Sequence, residues 1–171
     1  MEITQNFRNV TKKKKGFTLI ELMIVLAIIA ILAIVLIPKA TIFKNQSKNA
    51  GVTTNVNTVR GYLETKVNNN EGSTSYLNSG NLQTSIRSSF GLGEDDKPSS
   101  TSNEEKLVNP FDKDGQAIQV NDKSTSSIDS ATAGTNGADN KGQVVVDVYS
   151  NGYAVYGIDN DGSATKLLKV K

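Results

Sequence analysis

KKKKGFTLIELMIVLAIIAILAIVLIP, running from Lys12 to Pro38, decides how the rest of the chain is read. Four lysines, Lys12 to Lys15, stand ahead of Gly16. An apolar run opens at Phe17 and is unbroken from Leu22 to Ile37. The 21 residues from Phe17 to Ile37, wound as a helix, cover about 30 Å, the thickness of a bilayer's hydrocarbon core. A membrane anchor is therefore expected. The lysines, with Arg8 upstream, keep the N-terminal end cytoplasmic by the positive-inside rule and leave Lys39 to Lys171 outside.

Two features set this segment apart from an ordinary anchor. Glu21 sits four residues into the apolar run. An ionised carboxylate at a helix centre in lipid costs roughly 2.5–3.5 kcal/mol on insertion scales, and less near the interface. An intramembrane acid thus points to function and to a partner. Gly16, small and flexible at the border between lysines and Phe17, fits a protease cleft.

Lys15-Gly16-Phe17-Thr18-Leu19-Ile20-Glu21 resembles the class III signal sequence of type IV pilins and their relatives. Pro38 matches a proline that often follows the family's apolar segment. The resemblance implies cleavage between Gly16 and Phe17 by a prepilin peptidase, N-methylation of Phe17, and a role for Glu21 in assembly. It also implies self-assembly with identical or related pilins, an inner-membrane assembly platform and an ATPase. Before assembly the chain would be a single-pass cytoplasmic membrane protein; afterwards it would stand in an extracellular surface filament. Phe17 and Glu21 lie one turn apart on a helix, so the acid can face its own N-terminus or that of a neighbour, and the helix dipole favours negative charge there.

Composition supports a structural role. The formal charge of +2 conceals a leader, residues 1–16, with five basic residues and one acid; the remainder holds 14 basic and 16 acidic side chains, a net of −2. The basic balance is therefore no nucleic-acid footprint, and no specific nucleic-acid partner is expected. The chain has no Cys, no His and no Trp. That removes the commonest general base, the commonest zinc ligands and the thiol nucleophile. No catalytic residue, cofactor or metal site is expected. Many pilins carry a disulfide, and its absence fits a producer that does not rely on oxidative folding, such as a Gram-positive anaerobe.

The expected fold is α+β: a pilin fold with a long N-terminal helix on a small antiparallel sheet. Residues 1–16 form the leader, 17–38 the apolar half of the helix, and 39–70 its amphipathic half. Pro38, lacking an N–H, is expected to kink the helix. Beyond it, Ala40, Phe43, Ser47 and Ala50, then Val52, Val56, Val59, Leu63 and Val67, repeat at helical spacing and predict a core-facing stripe. Gly51 and Gly61 either mark close packing or are merely tolerated. The helix is expected to run from Phe17 to about Asn68, stopping at Asn68-Asn69-Asn70 and Glu71-Gly72.

Residues 71–142 are rich in Ser, Thr, Asn, Asp and Gly. One short helix is expected there, capped by Asn81, with Leu82, Ile86 and Phe90 on one face and Gly91 at its end. Ile118 and Val120 alternate as a short strand, and 124–141 reads as a mobile surface loop. Residues 143–171 predict a three-stranded antiparallel meander. Val144, Val145, Val146, Val148 and Tyr149 lead into Ser150-Asn151-Gly152, where Asn-Gly is a strong hairpin signal.

Head-group candidates have plain alternatives. Asp112-Lys113-Asp114-Gly115 and Asp159-Asn160-Asp161-Gly162 resemble fragments of calcium loops, but Asp and Gly are also what turns use. Tyr149, Tyr153 and Tyr156 offer an aromatic patch for sugar or DNA, or half-buried strand positions, which strand propensity favours. Lys166, Lys169 and Lys171 read as a solvated strand edge.

The favoured function is a structural pilin subunit of a type IV pilus serving adhesion, motility or biofilm formation. One alternative is a pseudopilin or minor pilin of a type II secretion or DNA-uptake system; another is a membrane-anchored extracellular binding module.

Overall fold

The computed structural model describes residues 16–70, 73–100, 106–134 and 138–171. The leader's lysines and Arg8 lie outside the described residues. The chain divides into two compact units, Met1–Thr41 and Ile42–Lys171. One helix, α1 (Leu19–Thr65), supplies residues to both.

In the first unit, α1 makes no core. Its large apolar side chains from Leu19 to Ile37 are all exposed, each by half or more. The helix is assigned without a break through position 38, so Pro38 does not divide it. The helix starts at Leu19 and ends at Thr65, two or three residues inside the expected limits.

In the second unit, the stripe divides in a way the sequence did not announce. Phe43, Ser47 and Ala50 remain exposed, as does Ala40 just before them. Val52, Val56, Val59 and Leu63 are buried. Only the second set belongs to the head's core; the first continues the exposed apolar character of the preceding residues. Thr53, Thr54 and Thr58 on the outer side return their hydroxyls to carbonyls four residues back, which satisfies β-branched residues of weak helix propensity. Gly51 lies against Pro110, where an added Cβ would stand 3.1 Å from the ring; Gly61 faces open space. Close packing therefore explains Gly51 and not Gly61.

Beyond α1, β1 (Asn68–Asn70) pairs antiparallel with β2 (Ser73–Ser75). These strands carry no apolar residue; β1 falls on the expected helix stop and β2 opens the Ser/Thr/Asn-rich stretch. Next comes α2 (Ser79–Ser89). Its cap is Asn78, whose side chain accepts from Asn81 N–H at 2.8 Å, not Asn81 itself. Leu82 and Ile86 are buried as expected, and Gly91 takes φ 59° directly after the C-cap Phe90. Tyr62 of α1 holds α2 by an edge-on contact with Phe90 at 5.2 Å and a hydroxyl contact with Ser85 at 2.6 Å.

Four strands complete the head: β3 (Ile118–Lys123), β4 (Val144–Tyr149), β5 (Gly152–Gly157) and β6 (Leu168–Val170). Their order in the sheet is β3-β4-β5-β6. The expected antiparallel meander is present as β4-β5-β6, with the β4-β5 turn at Ser150-Asn151 and Gly152 opening β5 opposite Tyr149. The strand at Ile118 joins it parallel to β4, pairing Ile118 with Val144, so the sheet is mixed.

That parallel pairing has a consequence for the segment read as a mobile loop. A chain returning to start a parallel neighbour must cross a sheet face. Val144, Val146, Val148, Tyr153 and Val155 pack toward α1 and α2. On the opposite face, Ile128 and Ala131 of the crossover cover Tyr149 and Ala154, and Ala133, Ala164 and Leu167 cover Val145, Tyr156 and Ile158. Every residue of β4 and β5 is buried. Burial on both faces explains the unbroken Val144-Val145-Val146 run, where a one-sided sheet would alternate. At Gly157, an added Cβ would fall 2.3 Å from Val52, so α1 approaches β5 where the strand lacks a side chain.

The terminal lysines do more than blunt an edge. Lys169 donates to the Asp129 carbonyl at 3.1 Å, and Lys171 pairs with the Asp129 carboxylate, tying the crossover to β6. The hydrogen bond from Lys171 is the main cause holding the Asp129 carboxyl below its usual range, with Ser127 assisting. Asn109, buried in the 106–116 segment, donates to the carbonyls of Gln116 and Lys141 and accepts from Phe111 N–H and Asp112 N–H. Gly142, at φ +83°, passes so close that a Cβ would meet the Asn109 amide.

The crossover's packing is testable. Ile128→Ala is expected to destabilise the head by about 2–4 kcal/mol, the range for a truncated buried Ile, measured by denaturant unfolding. A loss under about 0.5 kcal/mol, the surface value, would show that the segment is a loose loop after all.

Candidate functional site

The N-terminal residues form a compact arrangement around Glu21. Gly16, Phe17 and Thr18 precede the helix, and α1 begins at Leu19. Phe17 is 93% exposed. Thr18 N–H and Thr18 Oγ1 both donate to Glu21 Oε2, at 2.7 and 2.8 Å. Glu21 N–H lies 3.2 Å from Thr18 Oγ1, which accepts from it.

This is a reciprocal capping box. A helix start leaves its first N–H groups without partners. A threonine at the cap and a glutamate three residues on satisfy two of them by exchange. Its sequence signal, Ser or Thr followed three residues later by Glu ahead of an apolar run, is present in Thr18-Leu19-Ile20-Glu21. With Thr18 as the cap, the helix starts at Leu19, two residues later than expected.

The box also orients the acid. Both bonds from Thr18 fall on Oε2, and among the described residues Glu21 Oε1 accepts none. One oxygen is occupied in holding the helix start, and the other is free for a group outside the chain. Phe17 and Glu21 are thus brought to one end of α1 without bonding each other. Pro38 stands 17 positions further along the helix than Glu21 and belongs to no site.

The candidates in the head resolve as structure. Asp112 Oδ1 accepts from Asp114 N–H, and Asp159 Oδ1 from Asp161 and Ser163 N–H. These are Asx turns; among the described residues no cluster of three or more metal-ligating His, Cys, Asp or Glu side chains forms. Tyr149, Tyr153 and Tyr156 are buried more fully than half and present no flat aromatic patch. Burial is the first cause raising all three phenols above their ordinary pKa. The Asp147 charge adds to the rise at Tyr149 and Tyr156. Tyr153 instead accepts from Leu77 N–H at 2.5 Å and stacks edge-on with Tyr76.

Residues 11–37 match the family model for the prokaryotic N-terminal methylation motif. The match includes Lys15 to Glu21, the residues that carry the resemblance to the pilin-type signal sequence, and ends one residue before Pro38. It supports the reading of this N-terminus as a class III signal sequence of the type IV pilin and pseudopilin kind. It carries nothing on the producing organism, so a Gram-positive source gains no support. No curated protein and no solved structure matches the chain. The fold, a long N-terminal helix with an α+β head and a four-stranded mixed sheet, is consistent with the pilin fold. α1 is long and apolar enough to cross a membrane.

The box predicts separable effects. Thr18→Val removes the cap hydroxyl and is expected to loosen the first turn by about 1 kcal/mol, roughly a fivefold faster amide exchange at Leu19–Leu22 in micelles. Glu21→Gln should leave exchange close to wild type, because Gln also serves at that box position. Unchanged exchange in Thr18→Val would show that the box does not hold the helix start.

Proposed function

We propose that this chain is a structural subunit of a type IV pilus, polymerising through its N-terminal helix into an extracellular filament for adhesion, motility or biofilm formation. One observation carries the proposal. The apolar half of α1 has no partner among the described residues, and an acid is fixed at its head within an N-methylation motif.

In this account a prepilin peptidase cuts between Gly16 and Phe17, and Phe17 is N-methylated. Removing the leader leaves an ammonium at Phe17, next to the capping residue Thr18. The free Oε1 of Glu21 then receives the Phe17 ammonium of an adjacent subunit. An ion pair inside a bundle of apolar helices is little screened and costly to leave open, so it sets the axial register. Phe43 and the apolar residues before it, exposed in the single chain, are covered by neighbouring copies. An inner-membrane platform and an assembly ATPase extract the helix from the cytoplasmic membrane. Pseudopilins of secretion and DNA-uptake systems share the motif; polymerisation through this helix is the common step.

Glu21→Gln separates charge from capping. It keeps the box and removes the anion. Leader cleavage is expected to continue, while filament yield falls at least tenfold, the effect of about 1.4 kcal/mol. Filaments of wild-type yield and axial rise from Glu21→Gln would refute the ion-pair register.

A further inference from the structure

The sheet face turned away from α1 holds a nearly buried carboxylate. Asp147 occupies the middle of β4, directly opposite Asn121 of β3. It is 3% exposed. Asn121 Nδ2 donates to Asp147 Oδ1 at 2.7 Å, and Gln119 Nε2 in turn donates to Asn121 Oδ1 at 3.0 Å, which fixes the amide's orientation. Among the described residues, Asp147 Oδ2 has no hydrogen-bond partner, and Asp147 has no ion-pair partner. Oδ2 is not sealed in the core: Asp147 lies on the wall of an open cavity, so this oxygen is available to a group that enters it. Strand β4 otherwise consists of Val and Tyr, so an apolar residue there would have been the simpler choice.

Asp147 lines an open cavity of about 290 Å³ between the sheet and the crossover. The hydroxyl-bearing residues Tyr149, Tyr156, Ser130 and Thr132 line it, as does Lys123. The two phenols stay neutral, because burial and the Asp147 charge both disfavour their ionisation. Neutral hydroxyls offer lone pairs. The cavity therefore presents the Asp147 carboxylate beside hydroxyl-bearing residues, with Lys123, an ammonium of the chain itself, on the same wall and the Tyr156 phenol already bonded to the Gly134 backbone.

That set discriminates among cations. A guanidinium prefers both oxygens of a carboxylate as a fork, and Oδ1 is already engaged by Asn121. Calcium takes six to eight oxygens, with several carboxylates as a rule, and only one carboxylate lines this cavity. A primary ammonium has three donors and needs one charged oxygen plus two neutral acceptors. We propose that this cavity binds a primary ammonium group, supplied by a small amine or by a lysine side chain of a neighbouring copy, with Asp147 as counter-ion. The site stands independently of filament assembly.

The test is a calorimetric titration of the full chain, dispersed in detergent micelles, with n-butylammonium chloride. Potassium chloride and n-butylguanidinium chloride serve as comparisons at equal ionic strength. Saturable binding of n-butylammonium is expected, with neither comparison salt matching it. Asp147→Asn should abolish it, and Tyr149→Phe should weaken it, while both keep a wild-type unfolding transition. Absent saturation, equal binding of potassium, or binding that survives Asp147→Asn would overturn the proposal. So would binding that appears only in Lys123→Gln, because the chain would then fill its own site. The two sources are told apart by carbodiimide coupling of mixed light and heavy-isotope chains. An Asp147–lysine amide joining the two isotopes identifies a neighbouring copy; saturable butylammonium binding without that amide identifies a free amine. Because the titration uses dispersed chains, failure to form filaments leaves its outcome unaffected.

Discussion

Among the described residues, sixteen consecutive apolar residues, Leu22 to Ile37, find no partner to bury them, and the rest of the account follows from that constraint. At about 25 cal/mol per Å² of apolar surface, such a helix does not remain in water. It needs a bilayer, other copies of itself, or first one and then the other. Glu21 is tolerable in that setting only because it sits at the helix's first turn. There the capping box with Thr18 occupies one of its oxygens and meets the helix's own unpaired N–H groups.

The head is built on a different economy. It has no disulfide to close its loops, and its polar middle cannot form a core alone. Stability comes instead from a sheet buried on both faces, with α1 and α2 on one side and the crossover on the other. Loops are held by side-chain hydrogen bonds to backbone, concentrated at Asn109, and by a paired Arg87–Asp96 in which Asp96 is buried. Arg87 Nε and Nη2 bond the two carboxylate oxygens, the fork arrangement that makes such a pair strong. These bonds take the place that a cross-link fills in other small exported domains.

The anchor, the motif and the β4-β5 hairpin were legible because each rests on a local signal: length of apolar run, fixed spacing, Asn-Gly between strands. What the sequence concealed was non-local or polar. β1 and β2 consist of Asn, Ser and Thr, and no alternation marks them. The crossover's role depends on β3 pairing parallel to β4, across a separation that residue spacing does not report. Its two apolar anchors, Ile128 and Ala131, are sparse in a Ser-rich stretch, so composition suggested mobility. The exposed Phe43 shares a helical period with the buried Val52 set, and periodicity alone cannot say whether a stripe meets its own head or another chain. At the N-terminus the reverse occurred: Thr18 was in plain view, but attention to charge at Glu21 obscured its capping role.

The central claim is that this helix is trimmed and then buried among its own kind. Mass spectrometry of protein sheared from the cell surface tests it most directly. The account predicts an abundant chain beginning at N-methylated Phe17. A chain that retains Met1 to Gly16, in cells that process other substrates of the peptidase, would contradict it and leave a simple membrane-anchored domain.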